Sequence, residues 1–176
     1  MKYSALAMAV LAVQTAGASD WSAPGEVLHE LAKCVTYRAK LAGDWLIVEA
    51  KHESPWHTYA LDNKVRAEEK LAGKKALSID RPTEVRLVEG LELTGGWLQS
   101  PPKDMSRPEL RMFTWGFDGT VYFAAKAKRT AKSAKVNIRG QACTEEHCKT
   151  VDVALVIPEG TAADAGVDLK ALSAVR

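Results

Sequence analysis

Cys143 and Cys148 flank the tetrapeptide TEEH in the stretch RGQACTEEHCKTVDVALVIP. Each cysteine lies at the rim of a strand-like run, and the polar tetrapeptide between them reads as an exposed loop. Neighbouring strands bring Cβ atoms within disulfide reach, so the pair can close into a small ring. The same pair can exchange electrons with another protein's thiols. With two further ligands it can hold a metal, and His147 and His57 could complete a copper- or zinc-type set. An inert staple, a redox pair and a metal clip therefore all remain open on spacing alone. The C-x-x-C motif of thioredoxin-like proteins is absent, as is the strand-to-helix setting that depresses a thiol's pKa. Glu145 and Glu146 disfavour a thiolate here, whereas Lys149 and a protonated His147 favour one.

Strands must position the pair. VNIRGQAC and TVDVALVIP alternate, with Val136, Ile138 and Gly140 on one face and Val151, Val153, Leu155 and Ile157 on another. CTEEHC joins them as a hairpin. Upstream, CVTYRAKLAGDWLIVEAKHE predicts strand, turn at Ala42-Gly43-Asp44, strand. Trp45, Ile47 and Glu49 face one way and Leu46, Val48 and Ala50 the other, as in a sheet covered in part on both sides. Tyr37 and Trp45 fit sheet-face positions. Residues 21–31 predict a helical turn or an edge segment. SPWHTYALD reads as irregular, with His57 ordering a turn and Trp56 and Tyr59 packing. KVRAEEKLAG predicts a two-turn helix ending at Gly73, or an irregular insertion. KKALSIDRP, TEVRLVEGLEL and the segment around Trp97 read as strands. LQSPPKDMSRPEL reads as a long loop, because its three prolines remove backbone donors, and a loop of that length is often functional. A turn at Asp118-Gly119 leads into a strand from Thr120 to Lys126, and KAKRTAKSAK reads as a solvated strand end and turn. The tail from about residue 160 reads as weakly helical or flexible. Strand runs dominate without a βαβ rhythm, which predicts an all-β sandwich.

The chain opens with Lys2, an apolar run from about Ala5 to Val13, and Ala16-Gly17-Ala18, the pattern of a secretory signal peptide cleaved after Ala18. Residues 19–176 then form one exported domain without a membrane span, periplasmic or secreted. Loss of Lys2 takes the formal charge from +2 to +1, a balance that speaks against a nucleic-acid surface. Export gives cysteines an oxidising setting. Cys34 is left over from any pairing of the other two; it reads as a small buried hydrophobe, with pairing across a dimer or a resolving role as alternatives.

WLIVEAKHE, PWHTYAL, FDGTVYFAAKAK and VNIRGQACTEEHCKTVDVALVIP together resemble the N-terminal periplasmic domain of the thiol:disulfide interchange protein DsbD, the disulfide bond corrector family. The resemblance runs from about Ala39 through Pro158. It implies an immunoglobulin-like β-sandwich carrying a redox pair, here Cys143 and Cys148, with Cys148 as nucleophile. The family's usual loop is one residue longer, and its transmembrane and thioredoxin-like domains have no counterpart in this chain. Its cap loop over the thiols corresponds to the proline-rich segment 101–110, which lacks Phe and Tyr; Met105, or Phe113 just beyond, is the candidate substitute, with His147 as a further auxiliary residue. The implied partners are a membrane thiol reductase and exported thioredoxin-like or other thiol proteins, and no cofactor or metal is required. A secreted binding module stapled by Cys143–Cys148, and copper or zinc handling, are the competing expectations.

Overall fold

Side chains alternate inward and outward along two long neighbouring strands, and both faces of those strands end up covered. The computed structural model describes residues 20–76 and 79–176, so the proposed signal peptide lies outside the described residues. The strands, in chain order, begin with β1 (Gly25–His29), β2 (Ala32–Ala42), β3 (Trp45–His52) and β4 (His57–Tyr59). After the helix α1 (Asn63–Leu71) come β5 (Glu84–Glu89), β6 (Leu91–Gln99), β7 (Lys103–Asp104) and β8 (Trp115–Phe117). The chain continues through β9 (Thr120–Arg129), β10 (Lys135–Cys143), β11 (Cys148–Val156) and β12 (Ser173–Ala174). The first sheet runs β1-β2-β3-β9-β6-β12. The second runs β11-β10-β4-β8-β7, with β5 also on β10. All pairings between these strands are antiparallel. The fold is the all-β sandwich expected from the strand pattern.

The core lies between the sheets. Tyr37 and Leu46, with Phe123, Phe117, Ile138 and Leu155 opposite or beside them, are essentially removed from solvent. Each such side chain contributes about 1.5–3 kcal/mol of burial. Cys34 joins this core at 0% exposure, so it behaves as the buried hydrophobe expected of it, and burial pushes its thiol pKa up.

The outward face of β3 is covered too. Ile47 packs with Ala42, Ala124 and Ala162, and Trp21, Trp45 and Tyr122 close around them. Ala162, Val167, Leu169 and Leu172 belong to the tail, which lies across this face as a strap. Its backbone is tied by Ala162 N–H to the Leu41 carbonyl (2.8 Å) and by β12 on β6. Only a short 3-10 turn, Leu169–Ala171, interrupts it. The tail is therefore extended rather than weakly helical, because its apolar residues have a sheet face to cover.

Five other expectations resolve. The 21–31 lead-in contains the edge strand β1, and SPWHTYALD contains β4. The KVRAEEKLAG helix forms, with Ala72 in the left-handed region as its C-cap and Gly73 beyond. No strand forms over the described part of KKALSIDRP, residues 74–76 and 79–82. The proline-rich loop is a hairpin instead: β7 pairs with β8, and Arg107 and Met112 exchange backbone bonds at 2.7 and 3.2 Å around a 3-10 turn at Pro108–Leu110.

Candidate functional site

Register on β10 and β11 decides where the cysteines point. Val136, Ile138 and Ala142 face the core opposite Val151, Val153 and Leu155, so Arg139, Gln141 and Cys143 take the outer face. A slip by one residue would drive Arg139 inward. Cys143 and Cys148 pair directly across the ladder end, with Cα atoms 4.1 Å apart and a formed S–S bond. Thr144 N–H donates to the His147 carbonyl just beyond them (2.8 Å). That bond marks the cysteines as a non-hydrogen-bonded pair, the position where cross-strand side chains approach nearest. The Thr144 hydroxyl also accepts from the Glu146 and His147 N–H groups at 3.2 and 3.0 Å. The loop is thus ordered by its own hydrogen bonds as well as by the disulfide.

The two sulfurs have unequal surroundings. Cys143 is 1% exposed, whereas Cys148 is exposed. Cys143 is flanked on both sides, because β10 carries β11 on one edge and β4 on the other, and His57 is its direct partner on β4. β5 serves the earlier half of that second edge. Gly140 stands at the gap between them, where a Cβ would meet the Pro82 carbonyl at 3.1 Å. The row Cys148, Cys143, His57 therefore crosses three strands. Gln141 donates from its amide to Cys143 Sγ (3.5 Å).

A cavity of about 840 Å³ opens beside this row. The disulfide loop supplies one wall, from Thr144 to Cys148, and β4 supplies His57 and Tyr59. The β7–β8 hairpin supplies Met105, Arg107, Met112 and Thr114. Met105 also packs on Gly116, where a Cβ would lie 3.0 Å from its sulfur. Phe113 is not part of the lining; it turns inward against the inter-sheet core. Of the candidate auxiliary residues, Met105 and His147 thus reach the cavity and Phe113 does not.

Burial lowers the His57 pKa, against the opposing pull of Asp80, so the imidazole is neutral near pH 7. Its Nε2 lies 3.3 Å from the Tyr59 hydroxyl. Burial, and then the Asp80 charge, push the Tyr59 pKa up, which keeps that phenol a donor. The His147 ring lies 5.3 Å from that of His29, tilted by 38°, and the His29 ring meets Trp56 edge-on at 5.6 Å. Among the described residues, no three His, Cys, Asp or Glu side chains converge as a metal site requires.

Sequence reasoning left His57 as a turn-orderer and Tyr59 as packing, and it did not single out Gln141 or Asp80. Their link to the thiols runs through pairing between distant strands, and nothing in local spacing encodes it. The chain matches no known protein-family model, and no curated protein matches it either. What sequence and structure establish is an all-β, two-sheet domain whose disulfide joins a buried cysteine, Cys143, to an exposed one, Cys148.

Proposed function

We propose that this protein is an exported thiol–disulfide exchange module of the kind the DsbD N-terminal domain represents. It would carry electrons from a membrane thiol reductase to exported thiol proteins through Cys143 and Cys148. One observation carries the reading: Cys143 is buried while Cys148 is exposed at the wall of an open cavity. A staple needs no approach path, whereas an exchange pair needs one reachable sulfur and one protected resolving sulfur.

The weakness of the staple alternative supports the same reading. By chain entropy, closing so short a loop contributes only about 2 kcal/mol. The β10–β11 ladder and the Thr144 bonds already fix that loop.

In the reduced protein, the Cys148 thiolate attacks a partner disulfide. A mixed disulfide forms and one partner thiolate leaves. The Cys143 thiolate then attacks Cys148 Sγ, restores the internal disulfide and releases the second partner thiolate. Two electrons pass to the partner, and a membrane reductase returns them to the pair. Gln141, donating to Cys143 Sγ, stabilises negative charge on that sulfur. His57, neutral and opposite Cys143, is placed to exchange a proton there.

The test is a redox titration against glutathione combined with trapping in the exported compartment. Cys143→Ser should accumulate mixed disulfides through Cys148, and Cys148→Ser should accumulate few. A potential below about −300 mV with no adduct in either variant would leave the structural staple as the better description.

A further inference from the structure

The turn between β1 and β2 carries two non-glycine residues in the left-handed region, Glu30 at φ 49° and Leu31 at φ 71°. Two-residue hairpin turns of this hand favour Asn and Gly, because a Cβ crowds the following carbonyl there. Leu31 is also 94% exposed. A single exposed leucine on a surface is ordinary. A leucine that combines strained backbone with almost full exposure gains nothing from the fold, which points to a role outside it. Leu28, on the same hairpin beside the register shift of β1, is 47% exposed and adds apolar surface.

The position of this tip links it to the disulfide. The ring of His29, the residue before the turn, lies 5.3 Å from that of His147, and His147 is the neighbour of Cys148. Leu31 and the reachable sulfur therefore project from the same end of the sandwich. A standard interface of about 800 Å² per partner spans such a patch. Glu30, Glu145 and Glu146 are exposed around it.

We infer that Leu31 is the apolar anchor by which this chain docks a folded thiol protein onto Cys148. The complementary partner has an apolar cleft beside its own reactive cysteine and cationic side chains at the rim, facing the three glutamates. The inference rests on the exchange reading above and adds the surface that selects the partner.

The test compares two reductants of the Cys143–Cys148 disulfide: glutathione, which has no cleft, and reduced thioredoxin, which is folded around its cysteines. Leu31→Gly and Leu31→Asn both suit the left-handed backbone, so neither should lower thermal stability. Both should slow reduction by thioredoxin at least ~10-fold, the scale of losing one buried leucine, and leave the glutathione rate unchanged. An unchanged thioredoxin rate overturns the anchor while the exchange reading stands. Equal slowing with both reductants also overturns it, since the effect would then lie at the sulfur. A wild-type disulfide that neither reductant opens removes the exchange reading and the anchor together.

Discussion

The first sheet carries an added segment across its outer face, the second ends in the β7–β8 hairpin as its own edge, and the two segments do opposite things. The tail strap lies flat on the first sheet and brings Ala162, Val167, Leu169 and Leu172 onto Ile47, Ala124 and Trp45. The β7–β8 hairpin forms the edge of the second sheet and leaves about 840 Å³ open against Cys148. The residues differ accordingly. The strap is aliphatic where it meets the sheet, while the hairpin offers Met105, Arg107, Met112 and Thr114 to a wall of His57, Tyr59 and the disulfide loop. Apolar complementarity closes a face, whereas polar groups and flexible thioethers line a surface kept for something that comes and goes. On this comparison the first face maintains the fold, and the second is the one on which the proposed exchange would take place.

The largest effect is expected on the closed face. Ile47 is fully buried beneath the strap, and Ile47→Ala should cost about 3–4 kcal/mol in urea unfolding. The rate at which dithiothreitol reduces Cys143–Cys148 should not change in the folded protein. A changed rate would mean that the two faces are coupled, and the division of labour would fail.

The closed face was also the more legible one. Alternation in WLIVEAKHE puts Ile47 and Trp45 on one side and Leu46 and Val48 on the other, and a sheet with two apolar faces requires two covers. The cover itself was missed. EGTAADAGVDLKALSAVR has too little period to announce a strap, and its extended form follows from the face beneath it. The open face was legible only at its centre. Alternation along β10 and β11 placed Cys143 and Cys148 together at a hairpin end. It could not reveal that β4 lays His57 against Cys143 from the opposite edge, because that pairing joins residues far apart in the chain. The prolines of 101–110 suggested a loop, yet Arg107 and Met112 still close a hairpin because each retains the backbone donor that proline lacks.

A second prediction concerns what ties the strap's far end. Asp62 is buried and accepts from Arg66 Nε and Gln99 Nε2 at 2.7 and 2.8 Å and from the Arg176 N–H at 3.1 Å. Burial pushes its carboxyl pKa up, but these bonds outweigh burial and hold it below the usual value. Asp62→Ala should cost about 2–3 kcal/mol by leaving the Arg66 and Gln99 donors unpaired. The sign of the pH dependence follows from the lowered pKa: the stabilisation is complete above the unfolded value of ~3.9 and is lost as pH falls through the folded value. Acid unfolding curves of wild type should therefore steepen below pH ~4, and those of the variant should flatten there.

Histidines shape the response at milder pH. His52 donates from Nδ1 to the Gly119 carbonyl (2.7 Å) and accepts at Nε2 from the Thr58 hydroxyl (2.8 Å), which fixes β3 to β4 beneath the cavity. Burial lowers its pKa from 6.5, as it does for His57. A lowered histidine pKa means that the unfolded chain binds protons first on acidification. Stability is then complete above pH 6.5 and declines as pH falls toward the folded value. Each histidine contributes a slope of at most ~1.4 kcal/mol per pH unit in that window. Thermal melts from pH 7 to 5 should show the decline, and His52→Gln should flatten it. His57→Gln should flatten it less, because His57 is only half-buried, and flattening equal to that of His52→Gln would show that the open face carries as much stability, which would blur the comparison.

The smallest effect on stability, and the most telling for function, lies in the hairpin. Met112 is half-buried and faces the cavity, so Met112→Ala should cost about 1 kcal/mol or less. If the hairpin serves as a screen over Cys148, trimming this side chain should speed reduction of the disulfide by dithiothreitol. Phe113, adjacent in sequence but turned into the core, gives the control, because Phe113→Ala should weaken the fold without quickening reduction. The two neighbours thus separate the faces at single-residue resolution. A rate that responds to Phe113 and ignores Met112 would mean that accessibility at Cys148 is set by the sandwich, and that the hairpin is only a second strap.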